Sequence, residues 1–170
     1  MADLIAAKPP LSRRTFTLTL LAAPTQLAAG PCAPVKVLFV CPAGTVKSPI
    51  AREMLKRAAA ARSLSVDVRA RGLAPADHVS PELAARLKAE RFDLRAEHAV
   101  ALTPRDVAAA DMVIAFDAAA DSPLLKSARA WRTPSWNSDY EAAKADMNIR
   151  MIVLVEELMA RRTGCAGVAP

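Results

Sequence analysis

The sequence predicts a single α/β domain built on a doubly wound, four-stranded parallel sheet with helices on both faces. Three observations lead to this prediction. Strand-like and helix-like segments alternate along the chain, as they do where helices connect parallel strands. The run 35–40 (VKVLFV) is almost wholly apolar, which is typical of a strand buried on both faces. The 170 residues are 53% hydrophobic, enough for one domain with a real core.

The remaining strands and the helices follow in order after this first strand. Three short runs rich in apolar or β-branched residues are predicted as strands: 66–71, 112–116 and 130–132. The predicted helices are 49–62, 80–90, 103–110, 122–128 and 139–162. All five of these helices begin with a proline or with a Ser, Thr or Asp that can cap the first turn.

Residues 1–30 are predicted to be an export signal. Paired Arg13 and Arg14 precede a mildly apolar, threonine-rich stretch and then small residues. This order is typical of secretory signals, and the arginine pair resembles the twin-arginine type. We therefore expect a periplasmic or exported protein; the alternative is a cytoplasmic protein with a disordered basic extension. The predicted divisions are a signal at 1–30, a linker at 31–34, the domain at 35–163 and a tail at 164–170.

Charge and composition argue against several classes of function. The net charge is +6, but the basic residues are scattered and aromatics are only 4%, so no nucleic-acid-binding face is predicted. No apolar run reaches the about 18 residues that a membrane span needs. The three cysteines lack the short spacing of zinc sites, and neither histidine lies near one. We predict no metal and no cofactor.

The segment between the first strand and the first helix carries the predicted active site. Ligands of parallel sheets bind beyond the carboxyl ends of the strands, where Cys41 stands. A short loop that leads into a helix can turn its N–H groups toward one anion, and Gly44 permits the curl. The same field favours the thiolate of Cys41, and Ser48 can hydrogen-bond the sulfur. The alternative is that Cys41 is only a small buried residue.

The run VLFVCPAGTVKSPIARE resembles the signature of low-molecular-weight protein tyrosine phosphatases, in which Cys, five residues and Arg precede Ser or Thr. The likeness extends over about 35–162. It implies that Cys41 attacks phosphorus and forms a phosphocysteine, while Ser48 assists the thiolate. The phosphate-binding segment that it implies consists of Pro42, Ala43, Gly44, Thr45, Val46, Lys47 and Ser48.

Two positions depart from the pattern of that family. Lys47 replaces the phosphate-binding arginine, and a single point charge binds phosphate oxygens less well than a planar fork. The family's general acid is an aspartate before a proline, but Thr133 precedes Pro134 here. Asp139 is the only carboxylate of this loop and is the candidate acid, although its sequence context favours a helix N-cap.

Four further residues near the site or the loops have weaker patterns. Trp136 is predicted to wall the pocket and stack on an aryl group, or else to anchor its loop in the core. Asp117 ends the third strand and is expected to cap a turn or to bind a hydroxyl or water. His98 is predicted to be structural, and His78 to lie in a surface loop.

The predicted function is the hydrolysis of a phosphate monoester, with a phosphotyrosine-bearing protein as one substrate. The alternative is an exported, non-catalytic protein that binds phosphate or another oxyanion. Arsenate reduction, which some relatives perform, is less favoured because residues 72–130 contain no cysteine to take part in it.

Cys32 and Cys165 are predicted to form a disulfide in the exported protein. Cys32 precedes the first strand, at the edge opposite Cys41, and the last helix should bring Cys165 back to that edge. An oxidising compartment favours the bond. The alternative is that both are incidental cysteines of frayed chain ends.

Overall fold

Four parallel strands form the centre of the computed structural model, which describes residues 33–76, 79–92, 94 and 98–163. The sheet order is β2-β1-β3-β4. The strands are β1 Val35–Cys41, β2 Val66–Gly72, β3 Met112–Phe116 and β4 Arg129–Trp131. The helices are α1 Lys47–Ala61, α2 Pro81–Ala89, α3 Pro104–Ala108 and α4 Tyr140–Thr163. Two short 3-10 helices, Asp117–Asp121 and Pro123–Leu125, lie between β3 and β4.

Helices cover both faces of the sheet, which confirms the predicted fold class. Val37 and Phe39 of β1 pack on one face with buried residues of α1, α2 and α4. Leu38 and Val40 point to the other face, where they pack with the 3-10 helices and partly buried residues of α3. Because β1 pairs with β2 on one side and β3 on the other, it is central, which explains its almost wholly apolar sequence.

Three aromatic side chains support the carboxyl ends of the strands. Phe39 stacks on Phe116 with ring centroids 6.1 Å apart, and Trp131 packs on both rings at 6.0 and 5.7 Å. Phe116 and Trp131 are the last residues of β3 and β4. The cluster therefore ties the ends of β3 and β4 to Phe39 of β1, near the edge where the loops of the site emerge.

The predicted helix at 122–128 is wrong. Over that range the chain forms a 3-10 helix at Pro123–Leu125, which follows a first 3-10 helix at Asp117–Asp121. The backbone hydrogen bonds there span three residues, from Leu125 N to Ser122 O and from Ala128 N to Leu125 O, as in a 3-10 turn. Ala119 and Leu125 nevertheless bury their side chains against the sheet, so short 3-10 turns satisfy the apolar residues without a full helix.

The first helix begins two residues earlier than predicted, at Lys47. Pro49 therefore occupies the third position of α1. The first turn tolerates proline because its N–H groups have no partner inside the helix. The last two residues of the Cys-to-Ser signature thus belong to the helix and not to the loop.

Several predicted features lie outside the described residues: the signal at 1–30, His78, Cys32 and Cys165. The described residues nearest in sequence to the two cysteines are the start of β1 and the end of α4, and both lie at one edge of the sheet. The Val35 amide donates to the Ser65 carbonyl at 3.2 Å, and Arg162 donates to the Ser63 carbonyl at 2.9 Å. The start of β1 and the end of α4 therefore flank the same turn. Within the described ranges, no helix combines the length and apolarity needed to cross a membrane.

Candidate active site

A loop of five residues, 42–46, connects β1 to α1 at the carboxyl edge of the sheet. The segment that follows β2 runs along its outer side and binds its carbonyl groups. These hydrogen bonds are Leu73 N to Cys41 O (3.2 Å), Ala74 N to Pro42 O (2.9 Å) and Ala76 N to Ala43 O (3.1 Å). With its carbonyls held outward, the loop can turn its amides inward, as an anion cradle requires.

The free amides of this loop define the cradle. Within the described part of the chain, the N–H groups of Ala43, Thr45 and Val46 donate to no acceptor. The next two N–H groups lie in the first turn of α1, where no intrahelical partner exists and the positive end of the helix dipole adds to the field. Pro42 was predicted to contribute an amide, and this is wrong because proline has no N–H; it contributes only its carbonyl.

Two glycines bring the cradle against the end of β2. Gly44 has a φ of +72°, a conformation that a side chain disfavours. A Cβ on Gly72 would lie 2.8 Å from the carbonyl carbon of Ala43 and from the nitrogen of Gly44. The backbone of Gly72 therefore packs directly on the backbone of Ala43 and Gly44. No role for Gly72 was predicted from the sequence, although a glycine in a strand is a sign of such a close approach.

The sulfur of Cys41 lies at the base of this cradle. It is buried, accepts a hydrogen bond from the Gly44 amide at 3.2 Å, and lies 3.1 Å from the Ser48 hydroxyl. The Ser48 oxygen is also 3.1 Å from the Arg71 carbonyl. The Ser48 hydroxyl has one proton and two possible acceptors. It can donate to the Arg71 carbonyl when Cys41 is a thiol, and to the sulfur when Cys41 is a thiolate. The arrangement therefore offers the sulfur two hydrogen-bond donors, the Gly44 amide and the Ser48 hydroxyl.

The position of the Arg71 carbonyl is itself secured by an ion pair. The Arg71 guanidinium binds the Asp106 carboxylate at 2.9 Å, and the Thr103 hydroxyl donates to the same carboxylate at 2.6 Å. Burial would raise the pKa of Asp106, but the hydrogen bonds from Thr103 and Arg71 outweigh it and hold the pKa below its usual value. Asp106 thus stays charged and holds the end of β2 against α3.

Lys47 is engaged by the protein itself. Its ammonium contacts the Asp117 carboxylate and donates to the Thr133 carbonyl at 2.9 Å. The Thr133 amide in turn donates to Asp117 at 3.1 Å. Asp117 directly follows β3, and Thr133 comes two residues after β4. Two strand ends and the start of α1 therefore converge on one charged cluster. This cluster was not predicted from the sequence, although an aspartate ending a buried strand at this edge was a usable sign.

The loop after β4 holds the other predicted residues in contacts of its own. The Asp139 carboxylate accepts the Ala142 amide at 3.2 Å and so caps the first turn of α4, which begins at Tyr140. Trp136 is buried and packs edge-on against Tyr140, with centroids 5.4 Å apart. It anchors the loop in the core and lines a cavity beside α2. His98 lies exposed on the surface.

A sequence profile of the family described as "Low molecular weight phosphotyrosine protein phosphatase" matches residues 36–148. This range covers about two thirds of the chain and includes the cradle, Lys47 and Asp117. No sequence among the curated proteins matches the chain.

Solved structures of similar fold include phosphatases and an arsenate reductase. YwlE arginine phosphatase from Geobacillus stearothermophilus has a TM-score of 0.60 at 19% identity, covering 77% of this chain and 97% of that one. SP-PTP, the low molecular weight protein tyrosine phosphatase from Streptococcus pyogenes, scores 0.58 at 17% identity, covering 73% and 93%. The thioredoxin-dependent arsenate reductase of Corynebacterium glutamicum scores 0.58 at 23% identity, covering 76% and 64%. At these identities the likeness is one of fold.

Proposed function

Because the chain belongs to the low molecular weight phosphotyrosine protein phosphatase family, we propose that it hydrolyses phosphate monoesters through a phosphocysteine on Cys41. The observation that carries the proposal is the position of the Cys41 sulfur at the base of an amide cradle. There it is hydrogen-bonded by the Gly44 amide and lies beside the Ser48 hydroxyl. A phosphotyrosine side chain is one substrate of this class.

The first chemical step joins sulfur to phosphorus. The Cys41 thiolate attacks the phosphorus, the bond to the leaving oxygen breaks, and the loop amides with the first turn of α1 stabilise the charge on the phosphoryl oxygens. In the second step water attacks the phosphocysteine, releases inorganic phosphate and restores the thiolate. Ser48 donates to the sulfur whenever it is anionic.

Proton delivery to the leaving group limits the expected substrates. Thr133, which stands where a carboxylic acid is expected, has no carboxyl group, and Asp139 is engaged as a helix cap. The leaving oxygen then takes its proton from solvent, which is favourable only for leaving groups of low pKa. We therefore expect slow turnover and a preference for aryl phosphates with acidic phenols.

The second candidate function is non-catalytic binding of phosphate or another oxyanion. Two observations favour it: Lys47 is engaged by Asp117, and no carboxyl group stands at position 133. Arsenate reduction ranks third because the chain between 72 and 130 has no cysteine for a thiol relay. Inorganic phosphate binding without hydrolysis of any ester would establish the second candidate.

The test is to trap the intermediate. The protein is mixed with p-nitrophenyl phosphate, phosphotyrosine peptide or phosphoarginine, quenched rapidly and analysed by mass spectrometry for a phosphate on Cys41. Cys41→Ser should abolish hydrolysis yet still bind inorganic phosphate, because the amides remain. Cys165→Ser, a matched change outside the domain, should keep full activity. Undiminished hydrolysis by the Cys41→Ser protein would exclude the mechanism.

A further inference from the structure

The ammonium group of Lys47 is bound by acceptors of the protein itself, whereas a residue that served only to bind phosphate would require none. It contacts the Asp117 carboxylate and donates to the Thr133 carbonyl, so two of its three N–H donors are used within the protein. Lys47 is also the first residue of α1 and follows the loop directly in the chain. The cation at the signature position is therefore shared between a carboxylate and a carbonyl of the protein itself.

We propose that Asp117 is a positioning residue that holds Lys47 in competition with the anion in the cradle. When phosphate binds, Lys47 exchanges at least one of its protein acceptors for a phosphate oxygen. The inference rests on the proposed function only in that the cradle binds phosphate; it holds equally for a phosphatase and for a non-catalytic binding protein.

The chemistry of lysine makes this competition effective. A lysine ammonium is a compact charge on a flexible stem, so it can pivot between acceptors but cannot present two separate donor pairs at once, as a guanidinium can. The Lys47 and Asp117 side chains are only 16% and 31% exposed, so solvent screens their pairing in part. Binding of an anion therefore includes the cost of weakening a formed ion pair.

The same ion pair couples the cradle to the loop after β4. Thr133 is held at both of its backbone polar groups, since its N–H donates to Asp117 at 3.1 Å and its carbonyl accepts from Lys47 at 2.9 Å. Where Lys47 exchanges this carbonyl for a phosphate oxygen, Thr133 loses a donor. The segment that leads to Trp136 and α4 is thereby loosened when the cradle is filled.

A double-mutant cycle tests whether Asp117 acts through Lys47. Binding of inorganic phosphate is measured by calorimetry for the native protein, Asp117→Asn, Lys47→Met and the double variant. Asparagine suits position 117, whose φ is +51°, because it tolerates the left-handed region and keeps an acceptor for the Thr133 amide. Thermal unfolding of each variant verifies that the fold persists.

The expected result is strong coupling between the two substitutions. Asp117→Asn should tighten phosphate binding about tenfold in the native background, because Lys47 becomes available to the anion. In the Lys47→Met background the same change should tighten it by about twofold or less, through removal of a nearby negative charge alone. Asp121→Asn removes a charge from the same 3-10 helix and should change affinity by less than about twofold.

Two outcomes would overturn the proposal. If Asp117→Asn tightened phosphate binding equally in both backgrounds, Asp117 would act only through its negative charge and not through Lys47. If Asp117→Asn weakened phosphate binding, Asp117 would instead orient Lys47 toward the anion. Failure of the proposed hydrolysis is a separate result: a native protein that binds phosphate, shows the coupling and hydrolyses no ester is a binding protein in which Asp117 still controls Lys47.

Discussion

At the scale of single residues, the type of side chain at position 47 determines how many hydrogen-bond acceptors it can bind at once. Lys47 divides a single ammonium among Asp117, Thr133 and any bound anion. An arginine has five N–H donors in a planar fork, so it can keep both protein contacts and still bind two oxygens of phosphate. We therefore expect the identity of this residue to affect both phosphate affinity and turnover.

Replacing Lys47 with arginine should raise turnover of an aryl phosphate. The fork stabilises the equatorial oxygens of the transition state better than a point charge, and a gain of about tenfold corresponds to about 1.4 kcal/mol of added stabilisation. The measurement is kcat on p-nitrophenyl phosphate, with Lys56→Arg on the exposed side of α1 as the control. A lower rate in a folded Lys47→Arg protein would show that the site depends on lysine.

At the scale of elements, the shape of the cradle depends on the end of β2. The hydrogen bonds from the segment after β2 hold the loop carbonyls, and Gly72 lets the two backbones touch. The Arg71–Asp106 ion pair fixes that strand end against α3. The proposed anion site is thus a single loop whose backbone is held in place by the end of a second strand.

Gly72→Ala should damage the cradle. The added Cβ would meet the backbone of Ala43 and Gly44 at 2.8 Å, so one of the two chain segments must shift. We expect a loss of stability of about 1–3 kcal/mol, typical of overpacking, and a fall in phosphate affinity of at least about tenfold. Calorimetry and thermal unfolding measure the two effects.

A control for added volume is Ala130→Val, an exposed position on β4. It should leave phosphate affinity unchanged and alter stability by about 0.5 kcal/mol or less. If Gly72→Ala bound phosphate as tightly as the native protein, contact with β2 would have no part in shaping the cradle.

At the scale of the whole molecule, a parallel sheet gathers distant residues at one edge. Every strand runs in the same direction, so the ends of β1, β2 and β3 place Cys41, Gly72 and Asp117 together, and Thr133 follows β4. The opposite edge holds the start of β1 and the end of α4. The proposed site and the two ends of the described domain therefore lie at opposite edges of the sheet.

We propose that residues 1–30 export this domain after it has folded. Arg13→Lys combined with Arg14→Lys should leave the full chain in the cytoplasm, because the paired arginines are the recognised feature of twin-arginine signals. Fractionation of a bacterial host, followed by immunoblotting, measures the distribution. The control, Arg69→Lys with Arg86→Lys, changes two exposed arginines of the domain and should not alter export. Unchanged recovery of the signal variant in the periplasm would contradict this route.

The sequence by itself determined the parts of this protein that depend on neighbouring residues. The apolar run of β1 marked the central strand, and the order of strand, glycine loop and helix placed Cys41 and Ser48, seven residues apart, beside each other. A turn of helix and a short loop leave few alternatives for such a pair, so local patterns suffice. Similar local reasoning favoured a helix cap at Asp139.

Only the tertiary structure decided the partners of Lys47 and of Gly44. Asp117 and Thr133 lie 70 and 86 residues from Lys47 along the chain, and Gly72 reaches Gly44 from a neighbouring strand. These contacts depend on the strand order and on where each strand ends, which hydrophobic periodicity leaves open. A lysine at the signature position could be recognised in the sequence, but its engagement by a carboxylate arises because three strands end at the same edge.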